Sequence, residues 1–338
     1  MTDEPREEFS ADPLDHTRVW AGMTVGDLIE AYGDAGIGAA DLHEAATITA
    51  TMLGEEDTTV LMGVAGAVVP AGMRVLVAEL IADGYIDALV TTGAALTHDT
   101  IEAIGGHHHH GSAGPHDHRS TETTERSRRD HDEQLREEGV DRIYNVYLPQ
   151  EHFADFETHL REHVFPTLEG ATSIQAFTHA LGAANAAAND GVDAHPGIAA
   201  TAADRGVPIY CPAIQDSVLG LQTWMYAQTT DVTLDALADM THLNDLVADA
   251  DQAGALLVGG GVPKNYVLQA MLVTPDAYDY AVQLTTDPES TGGLSGATLD
   301  EARSWGKLAP EARNATVVGD ATITLPLLVA GARERIEG

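Results

Sequence analysis

Lysine is almost missing from this chain of 338 residues: only Lys264 and Lys307 occur, and arginine supplies the rest of the 17 basic residues. Basic charge as a whole is scarce. Against 53 acidic residues it leaves a net charge of −36, which argues against a broad basic face for nucleic acid or an anionic membrane. An acidic, lysine-poor surface suits a salt-rich, halophilic setting, where repulsion is screened within a few ångströms. Cysteine is reduced to Cys211, which excludes an internal disulfide and a multi-cysteine zinc site. It lies in an apolar stretch, 207–212, and reads as a buried core thiol. The longest apolar run, Val60 to Met73, has 14 residues, short of the roughly 20 that a bilayer span requires. The opening residues, 1–8, carry neither a basic region nor an apolar one, so they do not read as a signal peptide. A soluble cytoplasmic protein is the expectation.

The hydrophobic share of 44% is enough for a sizeable core. Residues 1–19 are polar and acidic and read as a loose tail. A single catalytic domain is expected over 20–338. Apolar runs at 59–64, 85–91, 142–148, 207–211, 255–258, 279–284 and 315–318 read as strands. Helix-length segments separate them, for example 71–82, 173–188, 234–248 and 299–306. Strands rich in Val, Ile and Leu that alternate with helices predict a mostly parallel sheet covered on both faces. The expected fold is α/β, doubly wound and Rossmann-like.

The segment 105–137 breaks this pattern. It opens Gly-Gly-His-His-His-His and continues with Ser, Thr, Arg, Asp and Glu. It reads as a solvated, mobile surface insertion. Consecutive histidines on such a loop pick up stray metal but lack the fixed geometry of a functional site, so no metal is expected.

Ligands of doubly wound sheets bind beyond the carboxyl ends of the strands, which directs attention to the turns that follow them. Thr91-Thr92-Gly93-Ala94-Ala95 is small enough for a cofactor to approach closely, or is a plain turn. Gly259-Gly260-Gly261-Val262-Pro263-Lys264-Asn265 offers free backbone N–H groups at a helix start and is neither a Walker loop nor GxGxxG. Thr291-Gly292-Gly293-Leu294-Ser295-Gly296 is a flexible loop. Gly319-Asp320-Ala321-Thr322 places an aspartate where it can cap a helix or bond a ribose. In Asp300-Glu301-Ala302-Arg303-Ser304-Trp305-Gly306-Lys307, Glu301 and Trp305 share a helix face. A partly desolvated lysine beside an indole has a lowered pKa and is a usable amine nucleophile. Surface charge does not explain a surviving lysine where arginine does that work.

Taken in order, these segments resemble the deoxyhypusine synthase family. The resemblance rests on Val90-Thr91-Thr92-Gly93, Gly139-Val140-Asp141-Arg142-Ile143 with Asn145 and Pro149, Pro212-Ala213, Leu219-Gly220, Gly259-Gly260-Gly261-Val262, Asp279-Tyr280-Ala281-Val282, Asp300-Glu301-Ala302 with Ser304-Trp305-Gly306-Lys307, and Asp320-Ala321 with Pro326 to Ala330. It implies an NAD-dependent aminobutyl transfer. A polyamine donor loses a hydride, its aminobutyl fragment moves to Lys307 as an imine, and then to a lysine of translation initiation factor 5A. It also implies a homotetramer with sites at subunit interfaces. By position, Glu301, Trp305 and Ser295 would bind substrate. Thr92, Gly93, Asp216, Gly260, Thr286, Asp320 and Ala321 would line NAD.

The chain departs from the family's pattern at its polyamine contacts. The family's basic histidine is Asn265, and the asparagine one turn later is Gln269. A family tyrosine is Gln283. Acidic positions are Leu221, Leu294 and His98. Each lost carboxylate costs a bound ammonium a few kcal/mol, on the order expected for an unpartnered charge. Two accounts follow. The donor differs at its leaving end, as agmatine would, with its guanidinium held by the amides of Asn265, Gln269 or Gln283. Alternatively, the acceptor is a free amine, as in homospermidine synthases. A catalytically silent NAD-binding homologue is the further alternative, against which the retained Lys307 stands.

Overall fold

Six strands line up as one parallel sheet in a computed structural model that describes residues 14, 16–112, 128–190 and 195–338. They are β1 (Thr58–Val64), β2 (Ala88–Val90), β3 (Ile209–Tyr210), β4 (Gln252–Val258), β5 (Tyr278–Thr285) and β6 (Leu308–Val318). Their order across the sheet is β6-β5-β4-β1-β2-β3, and every neighbouring pair is parallel. The chain winds outward from β1 to β3, returns beside β1 with β4, and winds outward again to β6. This is the doubly wound arrangement, with its switch point between β1 and β4.

The central strands β1 and β4 are buried at nearly every position because both faces are covered, whereas the edge strand β6 carries Glu311, Arg313 and Asn314 and is buried only in part. Val60, Met62 and Val64 of β1 join one core cluster, and Leu61 joins the other. Leu256 and Val258 of β4 likewise separate from Ala255 and Leu257. Cys211 is buried in the first cluster, as expected, and burial pushes its thiol up to about 12.

One local expectation is corrected. The run 142–148 is not a strand of the main sheet. It lies within an antiparallel hairpin, Val140–Ile143 with Val146–Pro149. Tyr144, at φ +53°, turns the chain between them. Both strands are only half-buried, apart from Leu148, so they do not meet the two-sided burial of a central strand. Part of the insertion has regular structure where it is described. His109–His110 pairs with the hairpin, and Arg128–Glu137 is a helix. Residues 113–127 of it lie outside the described residues, as do 1–13 and 15 of the tail. Among the described residues no cluster of three or more His, Cys, Asp or Glu side chains is arranged to hold a metal. None of their helices is long and apolar enough to cross a membrane.

Candidate active site

Lys307 owes its position to a helix ending. Thr298 caps the helix Leu299–Ser304 by accepting the Glu301 N–H at 2.9 Å. At the other end Gly306 takes φ +71°. Its N–H bonds to Arg303 O at 2.9 Å, and the Lys307 N–H bonds to Ala302 O at 3.0 Å. These are the two bonds of a Schellman motif, and glycine is the residue that accepts its left-handed step without strain. The motif ends the helix at once and delivers Lys307 to the start of β6, where its carbonyl accepts from Tyr278 N at 3.1 Å.

The half-buried lysine faces a cavity of about 480 Å³ between this helix and the helix Gly261–Gln269. Glu301, Trp305, Asn265, Gln269 and Lys264 line it with Lys307. The Lys307 ammonium donates to Asn265 Oδ1 at 3.4 Å, and Asn265 Nδ2 donates to Gln269 Oε1 at 3.2 Å. Burial lowers the pKa of Lys307 against the opposing pull of Glu301. An amine that sheds its proton more readily, a carboxylate for a cation and an indole wall equip this cavity for imine chemistry.

A second cavity, about 410 Å³, opens at the switch point. Ala65 and Gly66 beyond β1, Gly259–Gly261 beyond β4, and Thr92, Asp216 and Ser295 line it. A third, about 280 Å³, shares Ala65, Gly66 and Gly259 with it and adds Thr286, Asp320 and Ala321. Together they form one cleft across the carboxyl ends of β1, β4, β5 and β6. Two helix N-termini edge it. Thr92 caps Gly93–Ala103 through Ala95 N at 3.2 Å, and Gly260 precedes Gly261–Gln269. Asp320 caps Ala321–Glu337 by accepting from Thr322 N at 2.9 Å and Thr322 Oγ1 at 2.8 Å. These bonds hold its carboxyl below the usual range, and both fall on Oδ1.

The family model for deoxyhypusine synthase matches residues 27–332. The chain is 47% identical over 324 residues to a Methanosarcina acetivorans protein named "Probable deoxyhypusine synthase 1", covering 96% of this chain and 95% of that one. It is 41% identical to a Methanothermobacter thermautotrophicus protein named "Probable deoxyhypusine synthase", covering 94% and 97%. This chain belongs to the deoxyhypusine synthase family. It is therefore a member of a transferase family. An Entamoeba histolytica crystal structure that carries the same enzyme's name shares the fold, with a TM-score of 0.59 at 16% identity over 92% of this chain and 93% of the other.

The structure brings the expected residues into these two places, apart from Gly93 and Gln283. Gly93 is a packing glycine: a Cβ there would lie 2.2 Å from Ser217 Oγ. Ser295 stands on the cleft side of its loop, where its hydroxyl accepts the Gly261 N–H at 3.1 Å. Gln283 is buried at the end of β5 and donates to Gly259 O at 3.1 Å. It lines a separate acidic cavity with Asp287 and Asn314. His98 is hydrogen-bonded to His108 at 2.9 Å, and His108 to Glu102 at 2.6 Å. Burial, reinforced by His108, pushes His98 down to about 4, so this formerly acidic family position carries a neutral imidazole at pH 7.

Lys264, which in the glycine turn reads as a cap or as a neutralising partner for a phosphate, lies instead in the cavity with Lys307, 3% exposed. The signal was in the composition: the scarcity that singles out Lys307 singles out Lys264 equally.

Proposed function

We propose that this transferase takes an aminobutyl group from a polyamine onto Lys307 and passes it to a lysine of translation initiation factor 5A, with NAD as the hydride carrier. The observation that carries the reading is the meeting of Lys307, Glu301 and Trp305 in one cavity beside a glycine-walled cleft. Glu301 anchors the donor's terminal ammonium, Trp305 covers its methylene chain, and Lys307 attacks the carbon left electrophilic by hydride loss. The carbon–nitrogen bond to Lys307 forms as the bond to the donor's departing amine breaks.

The cleft suits a dinucleotide. A Cβ on Gly260 would come within 2.7 Å of Ser295 Cα, and Gly259 and Gly261 sit at φ +81° and +62°. Their backbone, with the helix starts at Thr92 and Gly261, offers N–H groups to a pyrophosphate. Asp216 and Asp320 would hold ribose hydroxyls, and Thr286 and Ala321 would complete the wall. When bound, the nicotinamide accepts the hydride and later returns it.

Asn265 and Gln269 place amide groups where the family has a histidine and an asparagine, which favours a planar guanidinium on the donor. Gln283, outside this cavity, has no part in that. Purified factor 5A incubated with NAD and either spermidine or agmatine is expected to gain the mass of an aminobutyl or a guanidinobutyl group. The larger gain, with agmatine, means that the guanidinium travels with the fragment. No gain with either donor removes the reading.

Trp305, Leu294 and Leu272 border the cavity as exposed apolar side chains. We propose that they are covered by a second subunit in a homotetramer. Light scattering at high salt is expected to give four chain masses; a monomer would contradict this.

A further inference from the structure

We propose that Lys264 is the proton acceptor for Lys307, taking up the proton that the catalytic amine sheds as it bonds to carbon. The inference rests on the reading of Lys307 as nucleophile and adds a residue to it.

An attacking primary amine gains a positive charge when it adds to an electrophilic carbon, and it must lose a proton before the leaving amine can depart. The departing amine in turn must gain one. Some group must therefore accept and return a proton within reach of Lys307 Nζ, directly or through one water. Among the residues that line the cavity, only Lys264 and Glu301 can titrate besides Lys307 itself. The Asn265 amide beside Lys307 has no basic lone pair. Glu301 is exposed and is engaged, in the reading above, with the donor's ammonium.

Lys264 is built to be neutral. Its side chain is 3% exposed, and its one described hydrogen bond is donated to Ala297 O. No described carboxylate pairs with it. A buried ammonium with one carbonyl partner is poorly compensated, and the uncharged amine is the better-satisfied state. Burial lowers its pKa to about 8, with Lys307 repelling its charge and Glu301 and Asp287 opposing the shift. Near pH 8 the amine is both an acceptor and a donor, as a shuttle requires.

The proton account closes. Neutral Lys264 accepts the proton from Lys307 nitrogen after the new carbon–nitrogen bond forms. It then delivers that proton to the amine that leaves as the old bond breaks, and it returns to the neutral state. The same exchange runs in reverse when the acceptor amine displaces Lys307.

Butanal with cyanoborohydride tests this without NAD, since the aldehyde forms an imine with Lys307 directly and the adduct is read by peptide mass. Wild-type trapping is expected to rise through an inflection near pH 8. Lys264→Met, which has no amine, and Lys264→Arg, which keeps the charge but cannot become neutral, are expected to trap on the order of 100-fold more slowly and to lose that inflection. Lys264→Cys alkylated with bromoethylamine restores an amine of lower basicity; trapping should return, with the inflection moved to lower pH. Position 264 lines the cavity and meets the reagent there, whereas Cys211 is packed within a core cluster, lines no described cavity and does not compete. Comparing one protein before and after alkylation removes folding as an explanation. A Lys264→Arg variant with the wild-type rate and profile overturns the proposal, as does alkylation that restores nothing. If wild-type enzyme itself yields no Lys307 adduct with polyamine donor and NAD, it is the role of Lys307 that fails instead.

Discussion

Lys307→Arg is expected to abolish transfer while leaving the fold intact. Arginine keeps the positive charge and can still donate to Asn265 Oδ1, which Lys307 reaches at 3.4 Å. It does not deprotonate in proteins and forms no imine. The Schellman ending depends on Gly306 and on backbone N–H groups, so the substitution does not disturb what positions the residue. Loss of a covalent nucleophile lowers turnover by roughly 10⁴-fold or more. Borohydride trapping with donor and NAD should label wild-type enzyme on the peptide that contains Lys307 and leave the variant unlabelled. In wild type the labelling rate should climb with pH, because the reactive species is the neutral amine. The climb should level off below the ordinary lysine value of 10.5, since burial lowers this amine's pKa. A variant that turns over at the wild-type rate would end the imine scheme.

Much of this arrangement could be read before any coordinates. β1 and β4 are apolar at consecutive positions because each face of the sheet has its own core cluster, and such runs are visible in sequence. The glycine turn and Asp320 were legible because the carboxyl ends of strands in this topology are where ligands meet free N–H groups. Lys307 was legible for a different reason, the near-absence of lysine. The strand-end rule does not place it: Lys307 precedes β6, and its side chain works in a groove between two helices. The meeting of Lys264 with Lys307 is long-range. Pattern on one helix cannot show that residue 264 turns toward the ending of another helix near residue 307. The hairpin at 140–149 looked like a core strand because Val, Ile, Tyr and Leu favour strands whether one face or two are buried. Gln283 stands where the family has a tyrosine, yet its amide is bound to Gly259 O.

The largest loss of stability is expected at a residue that no motif singles out. Asp99 lies mid-helix in Gly93–Ala103 and is completely buried. It accepts Arg74 Nε at 2.7 Å, Ile198 N at 2.8 Å and Ala199 N at 2.8 Å. Arg74, also buried, donates further to His195 O at 2.8 Å and Pro196 O at 3.0 Å. A Cβ on Gly197 would lie 2.0 Å from Arg74 Nη2, so a glycine there lets the guanidinium in. One carboxylate thus joins the start of the helix Arg74–Ala82 to the start of Ile198–Arg205 and holds both to the helix that Thr92 caps. Asp99→Ala leaves a buried guanidinium with carbonyls and only the looser ion pair to Glu102 at 3.8 Å, and orphans two N–H groups, at a cost of about 3–5 kcal/mol. Arg74→Met with Asp99→Leu removes both charges and is expected to recover part of that loss, because the desolvation of the pair roughly offsets its attraction, while the Ile198 and Ala199 N–H groups stay unpaired. Urea denaturation at constant high salt measures both. A cost below about 1 kcal/mol for Asp99→Ala would show that the pair does not hold these helices. If it does hold them, the same variant should also weaken the proposed binding of NAD, because the helix that Thr92 caps is fixed to its two neighbouring helices through this contact and its start forms one edge of the cleft.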